Sequence, residues 1–154
     1  MKQLIIYAHP NGKSLNGYFK ETLAHYLEES GHEVKVRDLY VLDFDPVLSL
    51  EDISGQMQGA VNETIGAEQK YITWADVVTF IYPIWWTGMP AIIKGYVDRV
   101  MSYGFAYRYD QGVQKGLLVG KKAIIINTHG KSKEEYVQKG MDTALLLTPD
   151  MGIF

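Results

Sequence analysis

The feature that most limits what this chain can fold into is a kind of segment that recurs three times. Leu4–Ala8 (LIIYA), Asp76–Tyr82 (DVVTFIY) and Ala123–Asn127 (AIIIN) are short and apolar, with no polar alternation. A strand with one face in water alternates, whereas a strand covered on both faces does not. Between the first two segments, Leu15, Tyr18/Phe19, Leu23 and Tyr26/Leu27 predict a helix from about Leu15 to Ser30 with Gly31 as its stop. Val34, Val36 and Leu39 predict a further strand. Strand, loop, helix, strand is a βαβ unit with a parallel pairing and a right-handed crossover. The continuing alternation predicts an α/β, doubly wound parallel sheet with helices on both faces, in one domain over residues 1–154.

The rest of the chain fits around that core. Residues 40–63 contain Pro46, Gly55 and Gly59 and show no sustained period, so they are expected to be a long excursion. A short helix is expected over Ala67–Trp74. Another enters at Pro90, where a missing N–H costs nothing, and turns an apolar face through Ile92/Ile93, Tyr96/Val97 and Val100/Met101. Residues 110–121 are expected to be a Gly-rich connection. Ser132 opens a helix by a capping box to Glu135, continuing through Met141 and Leu145 towards Leu147 until Pro149 ends it. Gly152-Ile153-Phe154 has the look of a fifth strand left truncated.

In such sheets ligands bind outside the carboxyl ends of the strands, where the strand order reverses. Loops 9–17, 82–90 and 127–132 leave those ends, and they are the most unusual loops in the chain. The first offers His9, Asn11, Lys13, Ser14 and Asn16 ahead of a helix N-terminus. That arrangement suits either a phosphate or a plain capped turn. The second carries Trp85 and Trp86, either a stacking wall for a planar heterocycle or residues of a core or subunit interface. The third brings Thr128, His129 and Gly130 to the same rim.

Composition removes several classes. At 154 residues with 47% hydrophobic side chains, the chain can bury a sizeable core. A net charge of -3 without Lys/Arg-rich runs argues against a nucleic-acid partner. No cysteine is present, so a disulfide scaffold, a thiolate metal site and a cysteine nucleophile are excluded. No carboxylate accompanies the loop histidines, which argues against a metal pair. The patterns GxxxxGK[ST], GxGxxG and GxSxG are all missing, and AHPNG lacks the acids of a phospho-receiver. The amino-terminal apolar run is too short for a signal peptide, and no run approaches the roughly 20 residues that span a bilayer. A cytoplasmic protein without membrane insertion is expected.

The segments AHPNGKSLNG, DLY with DFDPVLSLEDISG, AEQ, YPIWWTGMPAIIKGYVDRVMSYGFAY and NTHG together resemble the flavodoxin-like NAD(P)H:quinone oxidoreductase family, over essentially the whole chain. The resemblance implies a flavin held non-covalently at the three loops. His9, Ser14, Leu15 and Asn16 would hold its phosphate or pyrophosphate. Pro83, Ile84, Trp85, Trp86 and Thr87 would line the ring edge, and Asn127, Thr128, His129 and Gly130 would close the other side. Tyr107 and Tyr109 match the family's FAYxY segment, which reaches into a neighbouring subunit's site and implies a homodimer. NAD(P)H would reduce the flavin, and a quinone-like molecule would then take two electrons in a ping-pong sequence. The long 40–63 excursion, shared with FAD-binding relatives, favours FAD over FMN. Mammalian members place a Tyr and a His after the fourth strand; here that region reads KSKEEYVQKGMD, leaving Tyr136 and, in the histidine's place, His129 as catalytic candidates. The same family includes ancillary subunits of potassium efflux transporters. A flavin- or nucleotide-binding regulatory subunit is therefore the alternative to an enzyme.

Overall fold

The computed structural model describes residues 1–153. Four parallel strands, β1 (Lys2–Tyr7), β2 (Glu33–Asp38), β3 (Val77–Pro83) and β6 (Lys122–Thr128), form a sheet in the order β2-β1-β3-β6. The order reverses between β1 and β3, which puts the ends of β1, β3 and β6 side by side on one rim. β1 and β3 are continuously apolar because they are covered on both faces, since successive side chains point to opposite sides. β2 alternates at one edge. β6, equally apolar, forms the other edge and is not covered as its sequence predicts, its first three residues being exposed and the rest half-buried. On one face Leu4, Ile6, Val78, Phe80 and Tyr82 pack with Ile65 and Ile72 of α3 (Glu63–Trp74) and Ile93, Tyr96 and Val100 of α4 (Ala91–Val100). On the other, Ile5, Tyr7 and Ile81 meet Phe19, Leu23 and Ala24 of α1 (Leu15–Glu29). A doubly wound flavodoxin-like sheet with helices on both faces is the observed fold. No described helix is long and apolar enough to cross a membrane.

Several details depart from the expectations. The inner face of α1 is Phe19, Leu23 and Ala24, with Leu27 half-buried; Leu15, Tyr18 and Tyr26 are more than half exposed. The 40–63 segment contains a helix, α2 (Leu50–Met57). It rests on a full capping box, Ser49 with Asp52, which compensates for a short apolar pattern interrupted by Gly55. α3 begins at Glu63 under an Asn62 cap, four residues before the expected start. Pro90 is the cap of α4, one residue outside its first turn. The 110–121 connection is largely a hairpin, β4 (Tyr107–Asp110) with β5 (Val113–Gly116), turned through Gln111 and Gly112 in left-handed backbone.

The carboxyl-terminal helix is interrupted rather than continuous. α5 (Lys133–Gln138) and α6 (Met141–Leu145) are separated at Gly140, whose φ of 69° breaks the helical run. Ser132 caps α5 by accepting the Glu135 N–H, but the Glu135 carboxylate takes the ammonium groups of Lys131 and Lys139 instead of completing the box. Pro149 lies inside a π-helical turn over Leu146–Asp150, where a wider turn tolerates its missing N–H, and does not terminate the helix. Gly152 and Ile153 continue that segment as a turn, so the expected strand start is not formed there; Phe154 lies outside the described residues.

Two buried polar clusters fasten the helices. Glu68 of α3, 2% exposed, receives Arg37 of β2 and the Tyr96 hydroxyl of α4. Arg99 of α4 grips the Asp52 carboxylate of α2 at 2.9 Å and donates to the Asp45 carbonyl at 2.6 Å. Gly95 lets this excursion lie directly on α4, because an added Cβ would sit 2.2 Å from the Pro46 oxygen.

Candidate functional site

The first loop is built by local hydrogen bonds. The Lys13 N–H bonds the Asn11 side chain at 2.9 Å, and the Asn11 N–H donates to Nδ1 of His9 at 3.0 Å. The same Nδ1 also lies 3.0 Å from the Asn11 carbonyl oxygen, which fixes the ring against this loop. Ser14 caps α1 through the Gly17 N–H. Gly17 has no alternative in this geometry, since a Cβ there would lie 1.9 Å from the Gly12 carbonyl oxygen. As at any helix start, the Leu15 and Asn16 N–H groups have no intrahelical acceptors.

The second loop leaves the fully buried β3 and folds back at once. Trp85 and Gly88 exchange both backbone hydrogen bonds at 3.1 Å. Between them Trp86 and Thr87 adopt φ of 51° and 58°, the left-handed backbone of a type I′ turn normally filled by Asn and Gly. Trp86 is fully exposed and Trp85 41% exposed. A strained turn that places an indole in solvent is not explained by folding alone.

Thr128 joins the three loops. Its hydroxyl oxygen accepts from Nδ2 of Asn16 at 2.8 Å, and its carbonyl accepts the Ile84 N–H at 2.7 Å. His9 and Trp85 approach at 6.0 Å between ring centroids. His129, exposed, stacks on the buried Tyr136 at 4.4 Å. His9, Asn16, Ile84, Trp85 and Thr128 thus meet directly. Ser14 and Leu15 stand at the helix end beside them, Pro83 ends β3, and Asn127 pairs in register with Tyr82. Gly130 follows β6 with no atom within 4 Å of a built Cβ. Tyr107 and Tyr109 are elsewhere, on the β4–β5 hairpin. Tyr107 helps to line a cavity of about 510 Å³ with Ile72, Met101 and Lys122, near the start of β6 and away from the three loops.

Some contributors escape a reading of the sequence. The Tyr7 hydroxyl reaches the Asn11 carbonyl beneath the first loop at 3.4 Å, and burial raises its pKa. Tyr82 sits under the second and third loops, 1% exposed; burial, then the charge of Asp150, pushes its phenol up to about 12. Both are tyrosines at the carboxyl ends of buried apolar runs, which is the signal that marks them. The demand for glycine at 17 depends on a contact with Gly12 that spacing does not reveal.

The donor set fits a phosphate-bearing flavin. Free N–H groups and a helix dipole stand at the α1 end. The Asn16 side chain, 2% exposed, keeps Oδ1 without a hydrogen-bond partner. An orphaned buried acceptor calls for a donor, which a hydroxyl of the flavin's side chain would supply and the phosphate would not. Across the rim, the Trp85–Gly88 turn offers aromatic faces.

A family model described as the flavodoxin-like fold matches residues 1–154. The chain belongs to that family. Among its flavodoxin-like relatives, an NAD(P)H oxidoreductase of Haemophilus influenzae is 40% identical over 146 residues, covering 94% of this chain and 72% of that protein. NAD(P)H dehydrogenase [quinone] 1 of Cavia porcellus is 36% identical, covering 96% and 61%. The chain therefore spans roughly two thirds of the length of these relatives. Among solved structures, the NAD(P)H:quinone oxidoreductase of Methanothermobacter marburgensis superimposes with a TM-score of 0.87 at 33% identity, over 96% of this chain and 76% of that one. General stress protein 14 of Treponema denticola, solved with FMN, shares the fold at 23% identity and a TM-score of 0.68, over 96% and 76%.

Proposed function

We propose that this chain is a flavin-dependent NAD(P)H oxidoreductase that delivers two electrons to quinones. The observation that carries the reading is Thr128: one residue ties a helix N-terminus, an aromatic turn and the end of β6 into a single rim. Relatives with oxidoreductase names at 33–40% identity support it over a transporter-gating subunit. When bound, a flavin supplies the two-electron chemistry, accepting hydride from NAD(P)H and passing it to a quinone in ping-pong order.

The chain's own residues do the rest. The Leu15 and Asn16 N–H groups, Ser14 and the His9 ring would meet the phosphate. Pro83 through Thr87 present backbone and indole to the ring edge. Asn127, Thr128 and Gly130 would close the opposite side, and His129, stacked on Tyr136, would settle charge on the ring edge. FAD is preferred to FMN in this proposal, because the chain resembles FAD-binding relatives in carrying the long 40–63 excursion. A homodimer completes it. α2 buries its Asp52 carboxylate and exposes Leu50, Ile53 and Met57, an inversion that a second copy would cover, and Tyr107 and Tyr109 would reach the partner's acceptor site. The setting is cytoplasmic, where NAD(P)H is supplied.

The test is a titration of the flavin-stripped protein with FAD and with FMN, followed by flavin fluorescence. Saturable binding with tighter FAD is expected. Equal, millimolar affinity for both would overturn the reading.

A further inference from the structure

Tyr103, Tyr107 and Tyr109 form a ladder of edge-on rings, with centroids 5.9 and 6.2 Å apart. Its base is the turn that follows α4. The Ser102 carbonyl accepts the N–H groups of Phe105 at 3.2 Å and Ala106 at 3.0 Å, and the Gly104 N–H closes onto the Tyr107 carbonyl at 2.8 Å. Ser102 is 2% exposed. Its hydroxyl accepts a hydrogen bond at 2.9 Å from Nε2 of Gln69, on α3, and the same nitrogen donates at 3.1 Å to the Val100 carbonyl. That carbonyl belongs to the last turn of α4, where intrahelical donors run out. Both N–H groups of one amide are therefore committed to one turn. Gln69 is itself firmly based, because its neighbour Glu68 is fixed by Arg37 and Tyr96.

We propose that Gln69 is the positioning residue of the tyrosine ladder, setting the orientation in which Tyr107 and Tyr109 meet the electron acceptor. The inference rests on the function proposed above, in which those tyrosines belong to the acceptor site. The requirement is for two donors at this point. Leucine would leave two buried oxygens without partners. Lysine would restore donors to both, and its charge suits a helix C-terminus.

The experiment compares Gln69→Leu and Gln69→Lys with the parent protein by amide hydrogen exchange and steady-state kinetics. In Gln69→Leu the Phe105 and Ala106 amides should exchange at least about tenfold faster, since two hydrogen bonds to this turn are lost, while the Gly17 and Tyr18 amides and flavin affinity stay unchanged. KM for a quinone should rise about tenfold with little change in the rate of the NAD(P)H half-reaction. Gln69→Lys should restore both readings. If Gln69→Leu fails to fold, Ser102→Ala removes the hydroxyl partner alone and must move exchange and KM in the same direction. Unaltered exchange would overturn the proposal, as would altered exchange with an unaltered quinone KM. A parent protein that binds no flavin would instead defeat the functional reading, before any substitution is made.

Discussion

Thr128 and Gly17 bear the site's geometry, each through a different physical effect. Replacing Thr128 with valine keeps the shape but leaves the Asn16 side chain, 2% exposed, with neither polar atom paired. The cost should be about 1–3 kcal/mol, read by urea unfolding, and flavin affinity should fall in parallel. In Gly17→Ala a methyl would meet the Gly12 carbonyl oxygen at 1.9 Å. It should destabilise by about 1–3 kcal/mol and displace the whole first loop. Trp86 is the contrasting case. Being fully exposed, its change to alanine should move stability by less than about 0.5 kcal/mol. A loss of flavin retention in Trp86→Ala would then report binding alone, and unchanged retention would remove that indole from the ring site. Sequence singled out the tryptophans because large aromatics in a loop are conspicuous; it could not show that Trp86 adopts left-handed backbone or that Thr128 is the joint.

At the scale of elements, what was legible divides by range. The buried strands and α1 announce themselves through apolar runs and periodicity. The α4 face, Ile93, Tyr96, Val97 and Val100, is buried as its four-residue repeat predicts. α2 was missed although its Ser49–Asp52 capping box is local, because Gly55 breaks the apolar period and the Arg99 anchor on Asp52 is long-range. Burial alone would raise the Asp52 pKa, but the Arg99 guanidinium and the Ser49 hydroxyl and backbone N–H outweigh it and hold the carboxyl below its ordinary value. A depressed folded-state pKa stabilises above the unfolded value near 3.9 and loses that contribution as pH falls through the folded value. The α2 anchor should therefore hold at neutral pH and weaken below about pH 4, with α2 amides losing exchange protection ahead of β1. Asp52→Ala should release α2 at neutral pH at a cost of about 1–3 kcal/mol, because Arg99 loses its close carboxylate and keeps only the Asp45 carbonyl and the exposed Asp45 carboxylate. The β4–β5 hairpin was missed for another reason: its strands are four residues each and mostly exposed, so they carry no apolar pattern.

At the scale of the molecule, the strand order decides where chemistry can occur. A reversal between β1 and β3 gathers three loops whose unusual residues are separated by more than a hundred positions in the chain, as Asn16 and Thr128 are. Sequence located those loops correctly because each follows an apolar strand, although β6 lies at the sheet edge and is only half-buried where its loop begins. It did not locate the tyrosine hairpin relative to them, since that relation belongs to the proposed dimer rather than to one chain. The central claim is that the rim holds a flavin that NAD(P)H can reduce. The most direct measurement is the visible spectrum of the purified protein under anaerobic conditions, before and after NADPH or NADH is added. A bound flavin spectrum that bleaches on addition, and returns when a quinone is admitted, is the predicted result. A protein that stays colourless after incubation with FAD and FMN, or a bound flavin that neither nucleotide bleaches, would contradict it.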